Sequence, residues 1–137
     1  MSNDKHLIVI AGPTASGKTA TAIEIAQAFD TVVISADSRQ FYKEIPIGTA
    51  APTKEELSKV KHYMVGNLSI EDKYDVADYE RDVISLLKDL LNVHDTVVLS
   101  GGSVLFIDAV CNGINVITDI SPKMRQNLGT MLVDNGL

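Results

Sequence analysis

The sequence predicts an α/β protein in which a parallel β-sheet is covered by helices on both faces. Three short runs, at 7–11, 31–35 and 96–100, are almost entirely apolar and rich in β-branched residues, as is typical of buried parallel strands. Between these runs apolar residues recur at helical spacing, so strands and helices alternate along the chain. The 137 residues, 45% of them hydrophobic, are expected to form a single domain, 1–137, with a substantial core.

Five helices are predicted from apolar periodicity and from capping signals. Their expected ranges are 20–29, 53–61, 76–91, 103–111 and 121–135. The first is indicated by Ala20, Ile23, Ala26, Ala28 and Phe29, and the third by Tyr79, Val83, Leu86, Leu87 and Leu90 on one face. Caps are expected from Thr53 with Glu56, from Asp75 and from Ser121, with a stop at Asn135-Gly136. A short strand is expected within 62–66, and 44–52 should be loop.

Residues 12–19, Gly-Pro-Thr-Ala-Ser-Gly-Lys-Thr, match the G-x-x-x-x-G-K-[ST] pattern of a phosphate-binding P-loop. The motif lies between a predicted strand and a predicted helix, so the expected fold is a P-loop NTPase-like parallel sheet. Backbone N–H groups at the helix N-terminus can surround an anion, Lys18 would neutralise the terminal phosphate, and the Thr19 hydroxyl would hold Mg²⁺. The predicted phosphate-binding residues are Gly12, Pro13, Thr14, Ala15, Ser16, Gly17, Lys18 and Thr19.

Ligands of parallel α/β sheets bind at the carboxyl ends of the strands, so the loops 12–19, 36–43 and 100–103 should meet at one site. Asp37 directly follows the second strand and could act as a general base, hold Mg²⁺ through water, or cap a short helix. The next three residues, Ser38, Arg39 and Gln40, could contact a substrate or form a solvated turn.

The third strand ends in Ser100-Gly-Gly without an acidic residue. NTP-hydrolysing P-loop proteins usually carry a Walker B aspartate there, so motors and GTPases are disfavoured, whereas small kinases and diphosphate-handling transferases stay open. Ser103 presents a hydroxyl and a backbone N–H at a predicted helix N-terminus, which could form a second anion- or substrate-binding corner or a plain cap.

Composition restricts the partners of this chain. The net charge of −6 argues against strong binding of nucleic acid by this chain alone, and no run of about 18 apolar residues predicts a membrane span. Cys111 is the only cysteine, so a reducing cytoplasm is expected, and its place in the mostly apolar stretch Ile107–Cys111 predicts a core position. His62 and Tyr63 are expected to have structural roles, and Lys43 is expected at the surface. Core positions are expected for the aromatic residues Phe41, Tyr42, Tyr79 and Phe106.

Several further stretches occur together with the P-loop. They are Ile34-Ser-Ala-Asp-Ser-Arg-Gln-Phe-Tyr-Lys43, Ile47-Gly-Thr-Ala-Ala-Pro52, His62-Tyr63, Tyr74-(x)4-Tyr79 and Gly101-Gly-Ser-(x)2-Phe-Ile-Asp-Ala-Val-Cys-Asn-Gly113. From about Leu7 to its end, the chain resembles the tRNA dimethylallyltransferases, also called tRNA isopentenylpyrophosphate transferases, in which these stretches occur in the same order. It is most similar to their bacterial branch.

In that family the P-loop holds the diphosphate of dimethylallyl diphosphate, and the prenyl group goes to N6 of the adenosine 3′ of the anticodon, at tRNA position 37. The resemblance implies that 14–19 bind the diphosphate and that Asp37 is the base, with Lys18 and Ser103 beside the reacting groups. It also implies that Asp37, Ser38, Arg39, Gln40 and Ser103 contact the tRNA anticodon loop. Mg²⁺ is the expected cofactor, and a cytoplasmic monomer is expected.

The chain departs from the family pattern at Ser103, Ala51 and Phe106, where threonine, lysine and tyrosine are usual. Family members are about twice as long, with a helical tRNA-gripping insertion and an arginine-bearing second half. The expectation is therefore an N-terminal portion that binds diphosphate but does not modify tRNA alone. Alternatives are a small-molecule or nucleoside monophosphate kinase, for which the region after Ser103 offers only Arg125, a non-catalytic phosphate-binding domain, and an adenylate isopentenyltransferase.

Overall fold

Four parallel strands form the sheet: β1 (His6–Ala11), β2 (Val33–Ser35), β3 (His62–Tyr63) and β4 (Thr96–Gly101), in the spatial order β1-β4-β2-β3. The computed structural model describes residues 4–45, 50–114 and 121–135. The helices are α1 (Lys18–Ala28), α2 (Lys54–Lys59), α3 (Val76–Val93), α4 (Val104–Asn112) and α5 (Pro122–Asn135). The predicted alternation of strands and helices is confirmed.

The strand β4 lies at the centre of the sheet, and all six of its residues are buried. It pairs with β1 so that Ala11 lies opposite Gly101, and with β2 so that Ser35 lies opposite Ser100. The carboxyl ends of three strands therefore meet at one edge of the sheet, where α/β proteins bind their ligands.

Helices cover both faces of this sheet, as predicted. The helix α3 buries Tyr79, Val83, Leu87 and Leu90 in a cluster with β2, β4 and α4, whereas α1 packs on the opposite face. The predicted cap of α3 is confirmed, since the Asp75 carboxylate accepts hydrogen bonds from two backbone N–H groups of the first turn. These contacts anchor the middle of the fold.

Three predictions about burial need correction, for β1, for α1 and for Cys111. The strand β1 was expected to be buried, but none of its residues is, because it lies at an edge of the described sheet. The inner face of α1 is formed by Ala22, Ile23 and Ala26, whereas Ala20 and Phe29 are exposed. Small alanines on every side of this helix mark no face, so the sequence does not show which side packs on the sheet.

Cys111 was expected in the core, but it is exposed. The helix α4 turns Ile107 and Val110 inward, and a step of one residue along a helix rotates the next side chain by about 100°. Because α4 packs on the core with one side, Asp108 and Cys111 on its other side stay exposed.

The capping box of Thr53 and Glu56 is confirmed, as is the short strand at His62-Tyr63. The His62 ring Nδ1 lies 2.9 Å from the Val60 carbonyl oxygen, which agrees with a structural role. The predicted loop 44–52 and the helix stop at Gly136 lie partly outside the described residues, which exclude 46–49 and 136. Among the described helices, none has both the length and the apolar character that crossing a membrane requires.

Candidate functional site

The glycine loop 12–19 connects β1 to α1 and shapes the start of that helix. Gly17 precedes the helix at a φ of 86° and Ala15 adopts a φ of 63°, so the chain turns through left-handed backbone twice within three residues. No side chain caps α1 at Gly17. The first N–H groups of a helix lack intrahelical partners and carry partial positive charge, so this terminus is suited to bind an anion.

Two side chains of the loop fold back onto the Pro13 carbonyl oxygen. The Ser16 hydroxyl donates a hydrogen bond of 2.8 Å to it, and the Lys18 ammonium group is a second donor to the same oxygen. Lys18 is half-buried, so its charge is held at the loop rather than extended into solvent. Positive charge and helix N-terminus therefore face the same space.

That space is an open cleft of about 260 Å³ at the carboxyl edge of the sheet. Its volume is just below the roughly 300–1,000 Å³ of typical small-molecule sites. It is lined by Thr14, Ala15, Gly17, Lys18, Thr19, Ala20, Asp37, Gln40, Ala50, Glu56, Ser100 and Gly101. The prediction that three loops meet at one site is thereby confirmed, since each contributes to this lining.

Asp37 lies in the cleft with its two carboxylate oxygens in different surroundings. Its Oδ1 accepts a hydrogen bond of 3.2 Å from the Arg39 N–H, and its carbonyl oxygen accepts one of 3.0 Å from the Gln40 N–H. If Gly102 carried a side chain, its Cβ would lie 3.8 Å from the Asp37 Oδ2. The Asp37 side chain therefore caps its own turn through one oxygen and keeps the other beside the glycine pair.

The backbone N–H that Ser103 was expected to offer to an anion is bonded inside the protein. It donates a 3.1 Å hydrogen bond to the Ala36 carbonyl oxygen. The Ser103 hydroxyl oxygen accepts a 3.0 Å hydrogen bond from the Ser38 N–H, and the same hydroxyl donates a 3.4 Å hydrogen bond to the Ser38 hydroxyl oxygen. The Ser103 side chain does not cap α4. Ser103 thus ties the loop after β2 to the end of β4.

The remaining predicted contacts differ in accessibility. Arg39 is exposed and Ser38 is half-buried. Gln40 lines the cleft while its amide oxygen accepts a 3.0 Å hydrogen bond from the Ser35 hydroxyl and its amide nitrogen donates 3.1 Å to the Ala50 carbonyl. The structure therefore brings Asp37 and Gln40 to the P-loop and leaves Arg39 at the surface.

Sequence reasoning missed several members of this site. Ala20, Ala50 and Glu56 line the cleft, although nothing in the sequence pattern places α2 beside the P-loop. The Glu56 carboxylate also completes the capping box, since its Oε2 accepts a 2.7 Å hydrogen bond from the Thr53 N–H. The capping box signalled a helix start but not the neighbour of that helix.

A magnesium ion fits the donors of this cleft. The hydroxyl of Thr19 and the carboxylates of Asp37 and Glu56 supply the oxygen ligands that Mg²⁺ prefers. Within the described part of the chain, no group of three or more His, Cys, Asp or Glu side chains could hold a metal ion. Mg²⁺ commonly binds one or two protein oxygens together with substrate phosphates, and this donor set matches that mode.

The model of the family described as IPP transferase matches residues 40–136. Over 131 residues the chain is 48% identical to tRNA dimethylallyltransferase 2 of Parabacteroides distasonis, a match covering 96% of this chain and 44% of that protein. The chain therefore spans less than half the length of this curated relative. The name of this relative is that of a transferase acting on tRNA, not of a kinase.

Two solved structures share the fold. The tRNA isopentenylpyrophosphate transferase of Bacillus halodurans superposes with a TM-score of 0.79 at 30% identity, over 97% of this chain and 44% of that one. The tRNA delta(2)-isopentenylpyrophosphate transferase of Staphylococcus epidermidis gives 0.75 at 32% identity, over 98% and 43%. The P-loop NTPase-like arrangement predicted from the motif is thus confirmed.

Proposed function

Since this chain belongs to the IPP transferase family, we propose that it supplies the diphosphate-binding and proton-accepting part of a tRNA prenyl-transfer site. The reaction moves a dimethylallyl group from dimethylallyl diphosphate to N6 of the adenosine 3′ of the anticodon, at tRNA position 37, and gives N6-isopentenyladenosine. The observation that carries the proposal is the cleft shared by Lys18 and Asp37, since a cation and a carboxylate line the same small space.

The charge changes of this reaction match the two sides of the cleft. The allylic C–O bond breaks, and the diphosphate leaves with its electron pair. The N-terminus of α1 and the Lys18 ammonium group stabilise the charge that develops there. When bound, Mg²⁺ at Thr19 adds positive charge to the same leaving group.

The acceptor nitrogen forms the new C–N bond and must lose a proton. An adenine amino group is a poor nucleophile, so a positioned carboxylate assists by taking that proton. Asp37 is the carboxylate of the loop after β2, and one of its oxygens is not used by the Arg39 N–H. No water has to attack a γ-phosphate here, which suits a β4 that ends in Ser100-Gly-Gly.

The acceptor base must leave its stack in the anticodon loop to reach the cleft. The proposed contacts of this chain with tRNA are the exposed Arg39, the polar Ser38 and Gln40, and Asp37 and Ser103 beside the acceptor base. We propose that most of the tRNA-binding surface belongs to the part of the relatives that this chain does not match, because the net charge of this chain is −6.

Calorimetry with dimethylallyl diphosphate and Mg²⁺ tests the binding step on this 137-residue chain. We expect inorganic pyrophosphate to compete, ATP to bind more weakly, and Lys18→Ala to weaken binding at least tenfold. Lys88→Ala is the matched control, because Lys88 is exposed on α3, away from the cleft. Tight Mg²⁺-dependent binding of ATP without binding of dimethylallyl diphosphate would contradict the proposal and favour a kinase.

The transfer step is tested in a longer form, in which this chain is continued by the part of the Parabacteroides distasonis relative that it does not match. Asp37→Asn should lower kcat by about 10²-fold or more, the usual contribution of a general base, with diphosphate affinity changed little. Transfer at the wild-type rate would remove Asp37 from its role. The 137-residue chain alone should not prenylate an anticodon stem-loop, and detectable product would overturn that division of labour.

A further inference from the structure

Tyr79 is fully buried on α3 and contacts both ends of the loop that carries Asp37. Its hydroxyl donates a 2.7 Å hydrogen bond to the Ser35 carbonyl oxygen, immediately before the loop. Its ring stacks on Phe41, immediately after the loop, with ring centroids 5.2 Å apart and planes 16° apart. One side chain thus holds the residues on either side of 36–40.

Ser35, which Tyr79 contacts, also forms hydrogen bonds with residues of the loop. The Ser35 hydroxyl oxygen accepts a 3.4 Å hydrogen bond from the Asp37 N–H, and the same hydroxyl donates 3.0 Å to the Gln40 side chain. Ser35 and Phe41 are both buried, so neither contact is in competition with solvent. A shift of Ser35 would be passed directly to Asp37 through its hydrogen bond with the Asp37 N–H.

Further contacts hold Tyr79 itself in place. The Tyr79 N–H donates a hydrogen bond to the Asp75 carbonyl oxygen in the capped first turn of α3, and Phe106 meets its ring edge-on at 4.9 Å. Burial raises the pKa of the Tyr79 hydroxyl well above its usual range, so the group stays protonated and can only act as a donor to a carbonyl oxygen. Its hydrogen bond is therefore insensitive to pH in the physiological range.

We propose that Tyr79 is a positioning residue of the site, whose hydroxyl and ring fix the two ends of the 36–40 loop and thereby set the place of Asp37. The inference rests on the proposed function for its catalytic meaning. Its geometric part concerns the loop alone and is tested without any substrate.

Amide hydrogen exchange on this chain, read by NMR, tests the geometric part. Tyr79→Phe keeps the ring and removes the hydroxyl. We expect exchange at the Ser38 and Arg39 amides to rise at least fivefold more than at the Val98 amide in the central strand, which bonds the Val32 carbonyl. An equal rise at all three amides would show a purely structural role and would overturn the proposal.

Tyr74→Phe is the matched control. Tyr74 also meets Phe41, edge-on at 5.9 Å, but its hydroxyl donates to the Asp82 carboxylate 3.0 Å away and not to β2. This variant should leave exchange in the 36–40 loop unchanged. Phe41→Leu reaches the loop from its other end and should speed exchange at the Gln40 amide, so the proposal stays testable if Tyr79→Phe does not fold.

The catalytic part is read from kinetics in the longer form described above. Tyr79→Phe should lower kcat about tenfold and leave KM for dimethylallyl diphosphate within twofold, because the diphosphate is proposed to bind the loop 12–19 and the N-terminus of α1, which Tyr79 does not hold. An unchanged kcat, or a matching rise in KM, would overturn the catalytic part. If wild-type protein neither binds nor transfers, the proposed function fails, and the exchange data still decide whether Tyr79 sets the loop.

Discussion

Gly101→Ala should disrupt the site and the fold together, because a methyl group at this position has no room. Its carbon would lie 2.2 Å from the Ala36 carbonyl oxygen and 2.3 Å from the carbonyl carbon, about 1 Å inside any acceptable contact. Ala36 is fully buried and the clash is with backbone, so no side-chain rotation relieves it. Overpacking of this kind costs about 3 kcal/mol, which corresponds to a fall in Tm of roughly 10 °C.

Thermal and denaturant unfolding of two neighbouring variants measures this effect. Gly102→Ala is the matched control, since its methyl group would meet the Gly12 carbonyl oxygen at 3.3 Å and the Asp37 carboxylate at 3.8 Å. It should cost less than about 1 kcal/mol. Because Ala36 precedes Asp37, Gly101→Ala should also displace the proposed base. A Gly101→Ala protein as stable as Gly102→Ala would refute the reasoning.

Two further predictions concern the capped start of α3. Asp75→Ala should lower the free energy of unfolding by about 1 kcal/mol, measured with urea, and an unchanged midpoint would contradict the role of the cap. The hydrogen bond from the Asp75 N–H, and then the Arg81 guanidinium, lower the pKa of Asp78 below its ordinary 3.8. The ionised Asp78 carboxylate therefore stabilises the fold fully above pH 3.8, and this contribution is lost as the pH falls through the lower pKa of the folded state. Asp78→Asn should therefore lose less stability than wild type between about pH 6 and about pH 3, and equal losses would exclude this carboxyl as a source.

The local elements and the P-loop could be predicted because their signals are short in range. Glycines at 12 and 17, a lysine and a threonine at fixed spacing specify the loop, and Asp75 specifies the start of α3 from its immediate neighbours. The meeting of 12–19, 36–43 and 100–103 also followed, because parallel strands bring their carboxyl ends together.

Side-chain roles at the site depended on contacts between distant parts of the chain. Ser103 looked like an anion-binding corner, but its N–H and hydroxyl bond Ala36 and Ser38, 67 and 65 residues away in sequence. Tyr79 looked like an ordinary core residue, and only packing against Ser35 and Phe41 shows that it holds the Asp37 loop. Cys111 was predicted to be buried and is exposed, because neighbouring apolar residues do not show which side of a helix faces the core.

The sequence alone determined the alternation of strands and helices, the phosphate loop and the candidate base, because each depends on residues within a few positions of one another. The tertiary structure decided which side chains share the cleft and which are used to hold it. Hydrogen-bond partners such as Ala36 for Ser103 and Ser35 for Tyr79 are chosen by the packing of whole elements, and a backbone N–H already bonded inside the protein, like that of Ser103, is not available to a ligand.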